Sequence, residues 1–120
     1  MITFSKYGKE EIQRHSLMPL VSAKLYVGEQ ELTGHGYEAK TLVLANWNLN
    51  TGVYPTLEWI FEADIPVDVE GYYITNAEGE IIIFEKFAEA QTIQHTGDKI
   101  SIDITLAPVV KNNVTKGPTT

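Results

Sequence analysis

The chain has no cysteine, which excludes disulfides and thiolate metal sites and leaves stability to packing or to neighbouring subunits. Long apolar runs are missing too. The longest, such as Ile81 to Phe84, are far too short to cross a bilayer, so no membrane partner is expected. Clustered basic residues are also absent: the nine Lys and Arg are scattered and the formal charge is −7. That balance argues against nucleic acid, whose phosphates are bound by grouped cations. The start, Met1 to Lys6, lacks the basic stretch and apolar run of an export signal, so the protein is expected to be made and kept in a cytosol.

What is present is a β-forming pattern on 120 residues, 43% of them hydrophobic, enough for one domain with a real core. Tyr72 to Thr75 and Ile81 to Phe87 flank Asn76-Ala77-Glu78-Gly79, a group of turn formers in which Gly79 takes positive φ cheaply, and together they read as a hairpin that must hide one face. Ala23, Leu25 and Val27 alternate with Lys24 and Tyr26 in Leu20 to Val27, the period of a strand. Gly28-Glu29 turns the chain and Thr33 to Gly36 is a loop. A strand is expected at Tyr37 to Leu44, a long loop at Asn46 to Pro55, and another strand at Thr56 to Ala63, closed by Pro66. Gln91 to Gln94 reads as a further short strand. Ile100, Ile102, Ile104 and Leu106 alternate with polar residues after the turn at Thr96-Gly97-Asp98.

The pattern predicts an all-β fold, an antiparallel β-sandwich or jelly roll of six to eight strands over 20–107. Leu57, Trp59, Phe61, Ile100, Ile102 and Ile104 hold one phase and are the expected core. Within residues 1–19, Lys9 to Leu17 carries only Ile12 and Leu17 as apolar positions, and the segment is expected as an extended arm or a helix of one or two turns. Residues 108–120, polar and holding Gly117-Pro118, are expected as a flexible tail.

Reaction chemistry is hard to assemble. His15, His35 and His95 sit in three segments without a metal-ligand spacing, and surface or loop histidines are the simpler reading. Asp64, Asp68 and Glu70 are the carboxylates calcium prefers, yet they lack the glycine-punctuated spacing of a calcium loop, and a solvated acidic stretch explains them. Glu58, Glu62 and Glu85 could be paired on paper as acid and base, but in so acidic a chain such pairs arise by chance. No serine has a neighbouring base. No cofactor and no enzymatic role are therefore expected. Trp47, Tyr54 and Trp59 raise carbohydrate binding through stacked aromatic faces. Trp59 fits the core phase, whereas Trp47, in a polar loop, reads as an exposed interface residue. Asn113-Val114-Thr115 matches a glycosylation sequon and, without an export signal, reads as accidental.

Gly36-Tyr37-Glu38-Ala39-Lys40-Thr41-Leu42, Gly71-Tyr72-Tyr73-Ile74-Thr75-Asn76-Ala77-Glu78-Gly79 and Thr96-Gly97-Asp98-Lys99-Ile100 follow one another in this chain. Their order resembles a family of small tailed-phage virion accessory proteins, over about two thirds of the sequence. The resemblance implies a non-enzymatic β-sandwich that decorates or cements the capsid surface by binding the major capsid protein. A tail or tail-fibre component is the alternative, and a carbohydrate-binding module a further one. Made in the host cytoplasm, such a protein would be carried on the virion as a dimer or trimer. Phe4, Tyr7, Ile12, Leu17, Trp47 and Tyr54 are the expected interface residues.

Overall fold

The computed structural model describes residues 3–62 and 66–106. The expected tail at 108–120, the sequon within it and Asp64 lie outside the described residues. The architecture is mostly β, with antiparallel sheets of five and two strands and one N-terminal helix.

The helix, α1 (Lys6–Leu17), runs for 12 residues, where an extended arm or at most two turns is expected. Its start is capped: Ser5 is extended, and its hydroxyl accepts from Gly8 N at 3.0 Å, satisfying a donor that the first turn would otherwise leave unpaired. Glu11 pairs with Arg14 one turn on, and its other oxygen lies 3.4 Å from His15 Nε2, both spacings that bring side chains together on a helix surface. The inward face is narrow because Gln13, not an aliphatic residue, shares it with Leu17; both are buried. Apolar spacing alone therefore misses this helix.

The chain forms two compact units, one of Met1–Pro19, Val43–Pro55 and Asp103–Thr120, the other of Leu20–Leu42 and Thr56–Ile102. In the first, Leu17, Trp47, Tyr54 and Ile104 are buried. A 3₁₀ turn at Leu44–Asn46 leads to Trp47, whose ring meets Tyr54 edge-on at 4.9 Å, an arrangement aromatic quadrupoles favour. Asn48 Oδ1 accepts from Asn50 N at 2.9 Å and Thr51 N at 3.0 Å, holding the loop that returns the chain. Gly52 (φ +73°) bonds Leu106 through its carbonyl, and a Cβ there would collide with the Leu106 backbone.

The second unit contains the five-stranded sheet. Its strands are β1 (Ser22–Val27), β2 (Gln30–Glu31), β3 (Lys40–Thr41), β5 (Val67–Thr75) and β6 (Ile81–Ile93), with order β2-β1-β5-β6 and β3 also on β1. β5 is central, and Val69, Tyr72, Ile74 and Thr75 along it are all buried. The expected strand at Tyr37 to Leu44 shrinks to two residues. Tyr37 N is used by Gly34 O at 2.9 Å in a turn, and Val43 N donates to the Tyr54 hydroxyl at 2.9 Å, so ladder bonds are lost at both ends. Gln91 to Gln94 is not a separate strand. Residues as far as Ile93 continue β6 beyond an irregularity, where Gly71 faces Lys86 but Val69 faces Gln91.

The remaining strands, β4 (Val53–Ile60) and β7 (Lys99–Thr105), pair with each other. Ile100, Ile102 and Ile104 keep one buried phase along β7. β4 does not: Tyr54 is buried, then Leu57, Trp59 and Phe61 turn inward on the opposite parity. The slip falls at Pro55-Thr56, where proline withholds a ladder donor. Five of the six expected core residues are buried, and Leu57 is half-buried. Trp59 also donates from its indole to Glu38 O at 2.8 Å.

Gly71 is fixed by its surroundings: a Cβ would strike the Glu85 carbonyl and the ring of Tyr26, which lies across it from β1. Gly71→Ala should therefore lower the melting temperature through displacement of β6 or Tyr26, by more than the roughly 1 kcal/mol that a glycine in a regular strand would regain. Thermal melts of the variant beside wild type check this, and an unchanged or raised melting temperature refutes it. Trp59→Ala removes a buried ring and its hydrogen bond, and should cost about 3–5 kcal/mol in denaturant titrations.

Candidate functional site

The feature most out of keeping with a folded core is the first half of β6. Asn76 sets where that strand begins. Its Oδ1 accepts from Glu78 N at 3.1 Å and Glu80 N at 2.8 Å, its amide donates to Glu80 Oε1 at 2.9 Å, and Gly79 closes the turn at φ +83°. So anchored, β6 leaves the turn as the terminal strand of the sheet. Ile81, Ile82 and Phe84 are exposed, Phe84 at 72% and Ile81 at 61%. Ile83 faces the buried Ile74 and Phe84 faces Tyr73. The four apolar residues thus fall on both faces, and only one face is covered.

On the open face the side chains form a groove. Tyr26 and Tyr73 stand 6.2 Å apart at 48°, and Lys24 Nζ is 6.0 Å from the Tyr73 ring. The two tyrosines, with Ile81, Phe84, Glu70 and Lys86, line a cavity of about 400 Å³. Glu70 is held at its end by Gly28 N, which donates to Oε2 at 2.8 Å. The groove is a row of aromatic and aliphatic surface beside a strand edge with unpaired backbone groups, the geometry that accepts an added strand.

The residues expected at an interface divide. Phe4 and Tyr7 are exposed, Tyr7 at 72%. Ile12 is half-buried and Leu17 buried. Trp47 and Tyr54 are only 4% and 5% exposed, so the reading of Trp47 as a free surface indole is corrected. The loop folds its aromatic rings inward, and the Tyr54 hydroxyl is occupied by Val43 N. Buried rings offer no stacking face to a sugar. Beside Trp47, a cavity of about 460 Å³ is lined by Arg14, Leu44, Ala45 and Leu49. The Trp47 indole N–H and His35 Nδ1 are buried without a hydrogen-bond partner among the described residues.

The other groups considered from the sequence stay apart. Asp68 accepts from Thr92 Oγ1 at 2.6 Å while Glu70 is engaged by Gly28. Among the described residues no three His, Asp or Glu side chains gather as a metal site. His15 is on α1, His35 sits in a left-handed turn at φ 58°, and His95 donates its backbone N–H to Asp98 Oδ2 at 2.9 Å. That bond and the one from Gln94 N hold the Asp98 carboxyl below its usual range. Glu58 lies on β4 within 3.4 Å of Ser101 Oγ, Glu62 lies beside Gly36, and Glu85 is on β6.

The sequence pointed to the β6 hairpin but not to its exposure, since a hairpin is expected to hide one face. The signal was the unbroken run Ile81-Ile82-Ile83-Phe84. In an antiparallel strand with one covered face, alternation is normal, and four apolar residues in succession must expose some. No known protein family, curated protein or solved structure matches this chain.

Three tyrosines give the sheet a pH dependence, Tyr73 among them, raised by burial and then by the Glu31 carboxylate. Burial first, and then the Glu85 carboxylate, push Tyr72 up to about 12. Burial and the 2.6 Å hydrogen bond to Glu31 raise Tyr37, against a smaller opposing effect of Leu25 N. The folded state holds these phenolic protons more tightly than the unfolded chain, whose tyrosines ionise near pH 10. Their stabilisation is therefore complete below about pH 10 and is lost as pH rises through the folded values. Tyrosine absorbance should show three phenols, Tyr37, Tyr72 and Tyr73, ionising late, together with loss of β-sheet circular dichroism. Tyr72→Phe should remove one of them.

Proposed function

We propose that this protein is a non-enzymatic structural component of a phage particle, a decoration or cement protein bound to the major capsid protein at the capsid surface. In this reading its sheets belong to a jelly-roll-like β-sandwich, made in the host cytoplasm and assembled as a dimer or trimer. One observation carries it: each compact unit exposes large apolar side chains of its own, Phe4 and Tyr7 in one, Ile81, Ile82 and Phe84 in the other. A protein that bridges neighbours needs at least two docking surfaces, and apolar residues left in water are the anchors of such contacts. The resemblance of the Gly36, Gly71 and Thr96 motifs to virion accessory proteins supports the same reading. The acidic balance favours protein partners over nucleic acid.

Purified particles carrying the protein test it. Cryo-EM should place its density on the outer face of the head, over major capsid subunits, and a Phe4→Ser, Tyr7→Ser double variant should bind tenfold or more weakly. Density at the tail would replace the reading with a tail component. Absence from particles would end it.

A further inference from the structure

We infer that the open edge of β6 takes the C-terminal segment, residues 107–120, of a second copy of this chain as an added strand. This rests on the assembly reading above and names the occupant of the β6 groove. Among the described residues β6 is the last strand of its sheet, with no strand paired to its outer edge. The regular part is short: Ile83 to Lys86 pair in register with β5, and irregularities interrupt the ladder on both sides. Bulges of this kind limit indiscriminate pairing along a strand edge. An occupant therefore gains only a few backbone hydrogen bonds and must draw the rest from side chains over Phe84, Ile81, Tyr26 and Tyr73.

Charge selects among occupants. β6 carries Glu85, Glu89 and Lys86, and Glu80 precedes it in the turn. Pairing β6 with β6 of another copy would set this acidic excess against itself, which is unfavourable across a ladder. Residues 107–120 carry Lys111 and Lys116 and no acidic side chain, with Val109 and Val110 before the first lysine and Val114 between the two. They are the complement, both in charge and in β-forming residues. The described structure stops at Leu106, directly after β7. The 14 residues beyond it could span about 45 Å if fully extended, far enough to reach another molecule.

The full chain tests this by sedimentation velocity and by backbone hydrogen exchange. Self-association should rise with concentration, and exchange at Ile83 to Lys86 should slow in step with it. Lys111→Glu with Lys116→Glu, and separately Phe84→Lys, should each weaken association tenfold or more while circular dichroism stays unchanged. A synthetic peptide of residues 107–120 should compete with association and protect the same amides. Association that survives both lysine reversals would mean β6 pairs with β6 or with another surface, and would overturn the inference. Protection that is independent of concentration in a monomeric chain would mean the chain's own segment docks, and would overturn it equally. A peptide that fails to bind β6 in a protein still found on particles removes this inference alone. Peptide binding by a protein absent from particles removes only the virion reading.

Discussion

At Gly71 three strands approach so closely that no side chain fits. The Tyr26 ring crosses the glycine from β1, and the Glu85 carbonyl comes from β6 on the other side. Much of the second unit follows from this contact. It brings Tyr26 beside Tyr73 and sets the floor of the groove. It also fixes Lys86 opposite Gly71 just before the ladder breaks, so the accessible part of β6 is bounded there. A glycine inside a strand is ordinarily a weakness. Here the missing methyl makes room for the half-buried ring of Tyr26.

The buried polar groups in the same sheet work alongside this contact. Tyr37 joins Leu25 N of β1 to Glu31 of β2 through one hydroxyl, so a two-residue strand is held by a side chain as well as by its short ladder. Tyr72 and Glu85 make a similar link between β5 and β6. One link lies between β1 and β2 and the other between β5 and β6, and both rely on a phenol remaining protonated. They strengthen the sheet at neutral pH because burial makes each hydrogen bond stronger than it would be in water.

How much of this could be read from the sequence depended on whether period and burial agreed. β7 alternates strictly, and Ile100, Ile102 and Ile104 are where that alternation places them. The hairpin around Asn76 and Gly79 was legible from turn chemistry alone. α1 was only half legible, because Gln13 fills a position where a periodic pattern looks for an aliphatic residue. β4 was read in one phase from Thr56 onward, which is correct there, but the inward turn of Tyr54 on the other side of Pro55 has no marker beyond the proline. Trp47 and Tyr54 were misplaced because a loop rich in asparagine and glycine looks solvated. The edge-on contact that buries the two rings is tertiary and leaves no trace in local composition. The exposure of Phe84 was not legible in the same way, since nothing local says that β6 ends the sheet.

The two margins of the five-stranded sheet are unlike. On the β1 side, the chain lays down β2 and β3, each only two residues long, and such stubs give an incoming strand little to continue. On the other side, β6 offers a margin of 13 residues. A sheet with one blunted and one open margin grows in one direction only, and an added strand becomes the new margin. Two such sheets set margin to margin would present only stubs outward and stop at a pair, whereas a strand lent by a neighbour leaves the lender's own margin free for the next copy, so that such an exchange ends only where symmetry closes it.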